Sequence, residues 1–195
     1  LPALKSPYGA KFVKELREFI PHLHEARFNG GEPFLIKIYY DIWDQFIELN
    51  PNCRMVIATN GTTLNKRAKS ILEKGNFHIN LSIDSLIPER YSEIRVNGNL
   101  EKVLENFLYF KEYCQTNDRS ICIMINPMRN NWEEMPAFVN FCNDHNVHLW
   151  FNSIMYPEDL SLWKLPYEEL KEIYAKLSSE TFEYKSGGKK NIYKY

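Results

Sequence analysis

The segment Phe28-Asn29-Gly30-Gly31-Glu32-Pro33-Phe34 decides the fold. A short strand is predicted near Ala26–Phe28, and the apolar spacing over 35–49 behind the segment predicts a helix. Two adjacent glycines before an acidic residue at a strand end allow a ligand to approach the backbone closely. The segment therefore predicts a strand–loop–helix unit whose loop binds a ligand.

The same unit repeats along the chain. The other predicted strands are Arg54–Ala58, His78–Ile83, Ser120–Ile125 and His148–Asn152. The predicted helices cover 12–23, 35–49, 64–74 (with Thr62 or Thr63 as the N-cap), 88–95, 100–115, 132–144 and 166–177. Serial βα units predict an α/β fold with a parallel sheet and right-handed crossovers, as in a barrel or partial barrel. A GxGxxG motif follows none of the strands, which argues against a Rossmann dinucleotide site.

Composition narrows the class of protein further. The 195 residues include 24 basic and 25 acidic side chains, a net charge of −1, which argues against a bulk nucleic-acid partner. The sequence has no apolar run long enough to cross a bilayer, so no membrane association is predicted. The four cysteines are scattered without a CxxC pair, which favours reduced, buried thiols in a cytoplasmic protein.

Polar residues follow every predicted strand. They are Asn29–Pro33, Thr59–Thr62, Ser82–Ser85, Asn126-Pro127 and Asn152-Ser153. Because the carboxyl ends of parallel strands share one edge, we expect these clusters to converge. Turn and cap preferences explain Thr62 and Ser85, but they explain Glu32 and Asp84 less well. Arg95 is either a favourable charge at a helix C-terminus or a fixed guanidinium for a carboxylate.

These motifs resemble those of radical S-adenosylmethionine (radical SAM) enzymes. Gly30-Gly31-Glu32-Pro33 is similar to the GGEP motif of the family, and Thr59-Asn60-Gly61 to its TNG motif. Ser82-Ile83-Asp84-Ser85, with Tyr91 and Ile94-Arg95, resembles the pattern of the branch with SPASM or twitch extensions. The resemblance covers most of residues 9–177. It implies an incomplete (β/α)6 TIM-like barrel over 1–177, with 178–195 a linker or the start of a truncated C-terminal extension.

The CxxxCxxC motif that defines the family is absent from this sequence. In the family it precedes the helix that leads to GGEP, so we expect the first strand and the cluster cysteines upstream of Leu1. The scattered cysteines do not replace it, because no three of Cys53, Cys114, Cys122 and Cys142 lie within one loop. No metal ligand or catalytic residue is identified, and we expect this fragment to retain neither cofactor.

The resemblance also implies a reaction for the full-length protein. A [4Fe–4S] cluster leaves one iron open to SAM, and an electron from an external donor cleaves SAM to a 5′-deoxyadenosyl radical that takes hydrogen from the substrate. That substrate is unknown: a peptide, a protein side chain or a small metabolite. The alternatives are a cluster-less barrel that binds a ligand or protein, and a phosphate-binding barrel. The latter would need a Gly-rich loop that Asn126-Pro127 and Asn152-Ser153 do not offer.

Roles are carried over residue by residue. The resemblance implies that the methionine amino group is bound by Gly30, Gly31 and Glu32. Asn29 would contact the methionine end or the ribose, and Pro33 completes the motif. For the methionine carboxylate it implies Ser82 and Arg95. Asp84 would brace the strand end or contact the ribose, and Thr59 and Asn60 would line the wall between. The resemblance implies that three further residues face the ribose, adenine or substrate, namely Asn126, Asn152 and Ser153.

Overall fold

The computed structural model describes residues 8–182, which form a five-stranded sheet with helices between the strands. The strands are β1 (Glu25–Phe28), β2 (Arg54–Thr59), β3 (Phe77–Ser82), β4 (Ile121–Ile125) and β5 (His148–Phe151). They lie side by side in chain order, and each neighbouring pair is parallel. The predicted α/β class and parallel sheet are confirmed.

The helices follow the predicted order. They are α1 (Ala10–Leu16), α2 (Lys37–Leu49), α3 (Lys66–Lys74), α4 (Pro88–Ile94), α5 (Leu100–Thr116), α6 (Met135–His145) and α7 (Tyr167–Ser178). The prediction that the first helix reaches residue 23 is wrong, since α1 ends at Leu16 and a 3-10 turn follows at Ile20–His22. Pro21 explains the break, because its ring and missing N–H cannot continue an α-helix.

Two further observations bear on the predicted organisation of the chain. Within residues 8–182, none of the helices has the length and apolar character that crossing a bilayer requires. Residues 183–195 lie outside the described part, so the domain boundary after residue 177 stays a prediction.

The core lies between one face of the sheet and the helices. Alternate strand residues, such as Met55, Ile79 and Ile123, are fully buried on this face. Trp43 of α2 is also fully buried, and its ring contacts that of Phe77 at 5.6 Å between centroids. Such burial of large side chains is the main stabilising term of the fold. It fixes the positions of the strand ends.

The other face of the sheet is less buried and is called the open face here. Two rows of residues, paired across neighbouring strands, cross the half of this face that lies nearer the carboxyl ends of the strands, which is called its upper half here. The lower row is Ala58, Asn80, Cys122 and His148. The upper row is Ser82, Met124 and Trp150, next to the carboxyl ends of the strands. Since side chains alternate across a strand, each row presents its members to the same side as the others.

The cap of α3 differs from the prediction. Asn65, not Thr62 or Thr63, is the N-cap, and its Oδ1 accepts a hydrogen bond from the Ala68 N–H at 3.0 Å. The N–H and hydroxyl of Thr62 both donate to Asn60 Oδ1, which closes a local turn. The cap prediction for Thr62 and Thr63 is therefore wrong, and the helix starts later.

Gly61 gives a first test of how tightly the end of β2 is packed. Its φ is +73°, and a Cβ at this position would lie 2.6 Å from Leu81 Cδ1. We expect Gly61→Ala to lower the free energy of unfolding by about 1–3 kcal/mol, through left-handed strain and overpacking. Urea denaturation of the whole protein measures it. Gly9→Ala is the control, because nothing lies within 4 Å of a Cβ there; equal losses in both variants would contradict the expectation.

Candidate functional site

The first cluster at the sheet edge centres on the carboxylate of Glu32. This group accepts hydrogen bonds from the Thr59 hydroxyl at 2.8 Å, from the Asn60 N–H at 2.9 Å and from the Phe34 N–H at 3.2 Å. Only 7% of Glu32 is exposed, and burial raises the pKa of its carboxyl above the ordinary value, against the opposing effect of these hydrogen bonds. The cluster joins the loop after β1 to the end of β2.

The second cluster centres on Asp84, which is 2% exposed just beyond β3. Its Oδ2 accepts from Arg95 Nε at 2.7 Å and lies 2.5 Å from Arg95 Nη2. Its Oδ1 accepts from the backbone N–H and the side-chain Nδ2 of Asn126, at 2.9 and 2.8 Å. Asp84 therefore braces the ends of β3 and β4 and fixes the Arg95 guanidinium, leaving Nη1 for a second anion.

One open cavity connects the two clusters. It has a volume of about 410 Å³, and Asn60 lines it on one side and Tyr91 and Arg95 on the other. Asn60 belongs to the Glu32 cluster through its backbone, and Arg95 to the Asp84 cluster. The fixed guanidinium of Arg95 thus lines the cavity, and the Glu32 carboxylate lies behind Asn60, whose backbone N–H binds it. This pairing suits the ammonium and carboxylate of an amino acid.

Two buried residues that the sequence analysis missed hold this arrangement in place. Asn131 Nδ2 donates to the carbonyls of Asp84 and Asn126, at 2.8 and 3.0 Å. Glu134 accepts from the Ser85 hydroxyl, the Leu86 N–H and Arg90. Both lie in a segment whose sequence signals only the start of a helix. Apart from Asn126 and Met128, their side-chain partners are more than 40 residues away along the chain, so a local pattern does not reveal these pairings.

The other predicted site residues lie in four different places. Gly30 and Gly31 have φ values of +91° and +53°, and they lie exposed at the sheet edge with Asn29. Thr59 and Pro33 are buried, so Thr59 acts on the site through Glu32 rather than lining a cavity wall.

The last predicted residues, Asn152 and Ser153, line a different cavity of about 430 Å³ beside α7. Ser82 ends β3, half-buried on the open face directly below Asp84. The structure thus joins Glu32, Asn60, Asp84, Arg95 and Asn126 along the edge, and it places Asn152 and Ser153 apart from them.

The described residues hold no iron–sulfur ligand set. Cys53, Cys114 and Cys142 are buried and unpaired by disulfides, and Cys122 is half-buried. Burial raises the pKa of the Cys142 thiol, which disfavours the thiolate that binds a metal. Across residues 8–182, His, Cys, Asp and Glu nowhere form a group of three that could hold a metal ion. The residues present fit the amino acid part of SAM but do not fit a cluster.

Comparison with solved structures supports the fold. Streptococcus suis SuiB bound to S-adenosylmethionine matches 89% of this chain and 41% of its own, with a TM-score of 0.64 and 17% identity. Native anSMEcpe with bound AdoMet matches 83% of this chain and 50% of its own, with a TM-score of 0.62 and 16% identity. At these identities the likeness concerns the fold alone, which is the partial barrel expected from the sequence.

Sequence comparison identifies the family. The GTP 3′,8-cyclase of Limosilactobacillus fermentum is 32% identical over 158 residues, which cover 78% of this chain and 46% of the relative. The enzyme of the same name from Lactiplantibacillus plantarum is 28% identical over 156 residues, covering 77% and 45%. The chain thus spans about half the length of the curated relatives it matches. The family model of the radical SAM superfamily matches residues 9–142, and the chain belongs to that superfamily.

Proposed function

We propose that this chain is the SAM-binding part of an enzyme that, in its whole form, generates a substrate radical by reductive cleavage of SAM. The observation that carries the proposal is the cavity between Asn60 and Arg95, flanked by the Glu32 and Asp84 clusters. Family membership supports the reaction class. The SPASM or twitch extension and the external electron donor remain part of this proposal.

The residues at the sheet edge would bind and orient SAM. The Arg95 Nη1 amino group and the Ser82 hydroxyl would donate to the methionine carboxylate. The carbonyls of Gly30 and Gly31 would accept from the ammonium, and Glu32, held by Thr59 and Asn60, would supply the opposite charge nearby. Asp84 keeps Arg95 in one orientation, so less conformational freedom is lost on binding.

Bound SAM would supply the carbon radical that removes hydrogen from the substrate. The edge residues would hold its sulfonium end in one place, and the sheet beneath would limit access of water and of other hydrogen donors. The described residues provide no cluster ligands, so the electron-transfer step lies with parts of the protein outside them. GTP is the first substrate to test, because the relatives are named GTP 3′,8-cyclases.

The decisive experiment uses the whole protein that contains this chain. It is reconstituted anaerobically with iron and sulfide, mixed with SAM and dithionite, and assayed for 5′-deoxyadenosine. We expect product from the cluster-loaded protein and none without reductant. A protein that takes up no cluster but still binds SAM or a protein partner would support the cluster-less binding module instead. A cluster-loaded protein that binds no SAM would contradict the proposal.

A further inference from the structure

The upper half of the open face carries no lysine or arginine in either of its two rows. The lower row holds Ala58, Asn80, Cys122 and His148, and the upper row holds Ser82, Met124 and Trp150. A nucleoside triphosphate is normally bound by lysine, arginine or a nest of backbone N–H groups. These rows offer neither Lys nor Arg to such a ligand.

Three arginines near these rows are engaged with carboxylates. Arg95, above them, is bound through Nε and Nη2 by Asp84. Arg27 and Arg54, towards the other end of the sheet, share the carboxylate of Glu25, with 2.6 Å between Arg27 Nε and Glu25 Oε1. Arg54 also donates to the Ser120 hydroxyl. Two carboxylates, of Glu25 and Asp84, thus hold these three arginines, and neither Lys nor Arg lies within the two rows themselves.

Trp150 is the largest side chain on this face and the most unusual one. It is 61% exposed, although its neighbours Leu149 and Phe151 pack against the core on the other side of the strand. It pairs with Met124, and Met124 pairs with Ser82. The indole therefore lies in the same row as the serine that the SAM site would use. A flat exposed indole stacks well on a planar ring.

We propose that the open face binds an uncharged part of the substrate, with a planar ring stacked on Trp150, and that it does not bind a polyphosphate. The inference rests on the proposed function, because it assigns the substrate class of that site. Asn80, one row below Ser82, can hydrogen-bond to polar groups on the ring's edge. Met124 beside Trp150 extends the apolar surface and can adapt to the ring's shape.

The test uses the cluster-loaded whole protein with SAM present. Equilibrium binding is measured for three probes: guanosine, GTP and N-acetyltyrosine amide. We expect at least one of the two uncharged probes to bind about tenfold more weakly to Trp150→Ala and near normally to Trp150→Phe. The Kd of GTP should lie within about threefold of that of guanosine. Tyr167→Ala is the control, since Tyr167 is an aromatic residue of α7 that is 73% exposed and lines neither of the two cavities described above.

Three results would overturn the inference. The first is GTP binding more than 100-fold tighter than guanosine, and the second is uncharged-probe binding that Trp150→Ala leaves unchanged or that is undetectable. The third is an indole that acrylamide cannot quench in the ligand-free protein, in a variant that keeps Trp150 and has its other tryptophans replaced by phenylalanine. That result would mean that another segment of the protein covers it. 5′-Deoxyadenosine formation is measured in parallel, so a failure of the proposed function is seen separately.

Discussion

Replacing Arg95 with glutamine is expected to weaken SAM binding by the whole protein by about 10- to 100-fold. Arg95 is the guanidinium that Asp84 fixes beside the cavity, with Nη1 left for the ligand's carboxylate. A hydrogen bond to a charged group contributes about 1.5–3 kcal/mol, which corresponds to this range of affinity. Isothermal titration of SAM into the cluster-loaded protein measures the effect.

The matched control for this experiment lies on the same helix. Arg90 of α4 pairs with buried Glu134 at 2.9 Å, and its side chain is 29% exposed, against 33% for Arg95. Each change leaves one buried carboxylate without its cation, so both should lower the free energy of unfolding by about 2 kcal/mol. Only Arg95→Gln should also weaken SAM binding by more than this loss of folding stability can explain. Equal affinity losses in both variants would show that the effect is structural.

Arg95→Lys separates charge from geometry at the same position. A lysine keeps the positive charge but cannot make the side-on contact with Asp84 and present a further donor in the same plane. We expect it to recover less than half of the lost binding free energy. Full recovery would mean that charge alone is recognised, and Asp84 would then have no orienting role.

The order of helices and strands was predictable from the sequence, because the spacing of apolar residues agrees with the positions of the Asn, Pro and Gly residues that end helices. Asn50-Pro51 ends α2 and Gly75 follows α3, as such residues do. The start of α3 was not predictable, since Thr62, Thr63 and Asn65 are all good caps. The choice depends on Asn60 Oδ1, which accepts hydrogen bonds from the hydroxyl and the N–H of Thr62. The residue pattern of the sequence does not show this contact.

The site was predictable as a set of residue types but not as a set of pairs. Parallel βα topology alone brings Glu32 and Asp84 to one edge, whereas only the family resemblance assigned Arg95 to the same site. The topology does not predict that Asp84 forms an ion pair with Arg95, or that Thr59 lies buried beside Glu32. Asn131 left no signal, because an asparagine near a helix start is ordinary. Pairings between distant segments depend on side-chain geometry, which one sequence does not record.

Replacing Glu32 with glutamine is expected to lower the free energy of unfolding by about 2–4 kcal/mol near pH 4. Its two carboxyl oxygens accept from three donors, the Thr59 hydroxyl and the backbone N–H groups of Phe34 and Asn60. Both oxygens can still accept when the group is protonated near pH 4. A glutamine keeps one oxygen and directs an NH2 group at a donor. At least one buried N–H then loses its acceptor, at about 1–3 kcal/mol, and the two donors repel each other. Urea denaturation of the whole protein measures the loss.

The pKa of Glu32 determines whether the loss of stability in Glu32→Gln grows or shrinks as the pH rises. Burial raises the pKa of Glu32 in the folded state, so between its ordinary pKa and the raised value the folded protein holds more protons than the unfolded one. The stability that Glu32 contributes is therefore complete below the ordinary pKa and declines as the pH rises through this window. Glutamine does not titrate, so the deficit of Glu32→Gln should shrink between pH 4 and pH 7.5.

Glu48 provides a control with the opposite slope. It is exposed and bonded to Arg17, and this hydrogen bond lowers the pKa of its carboxyl below the ordinary value. Its contribution is present above the ordinary pKa and is lost as the pH falls through the lowered one, so the deficit of Glu48→Gln should grow from pH 4 to pH 7.5 while staying small. Parallel slopes in the two variants would mean that the hydrogen bonds to Glu32 outweigh its burial and lower its pKa in the folded state. The brace between β1 and β2 would then favour the charged carboxylate, which contradicts the expected effect of burial.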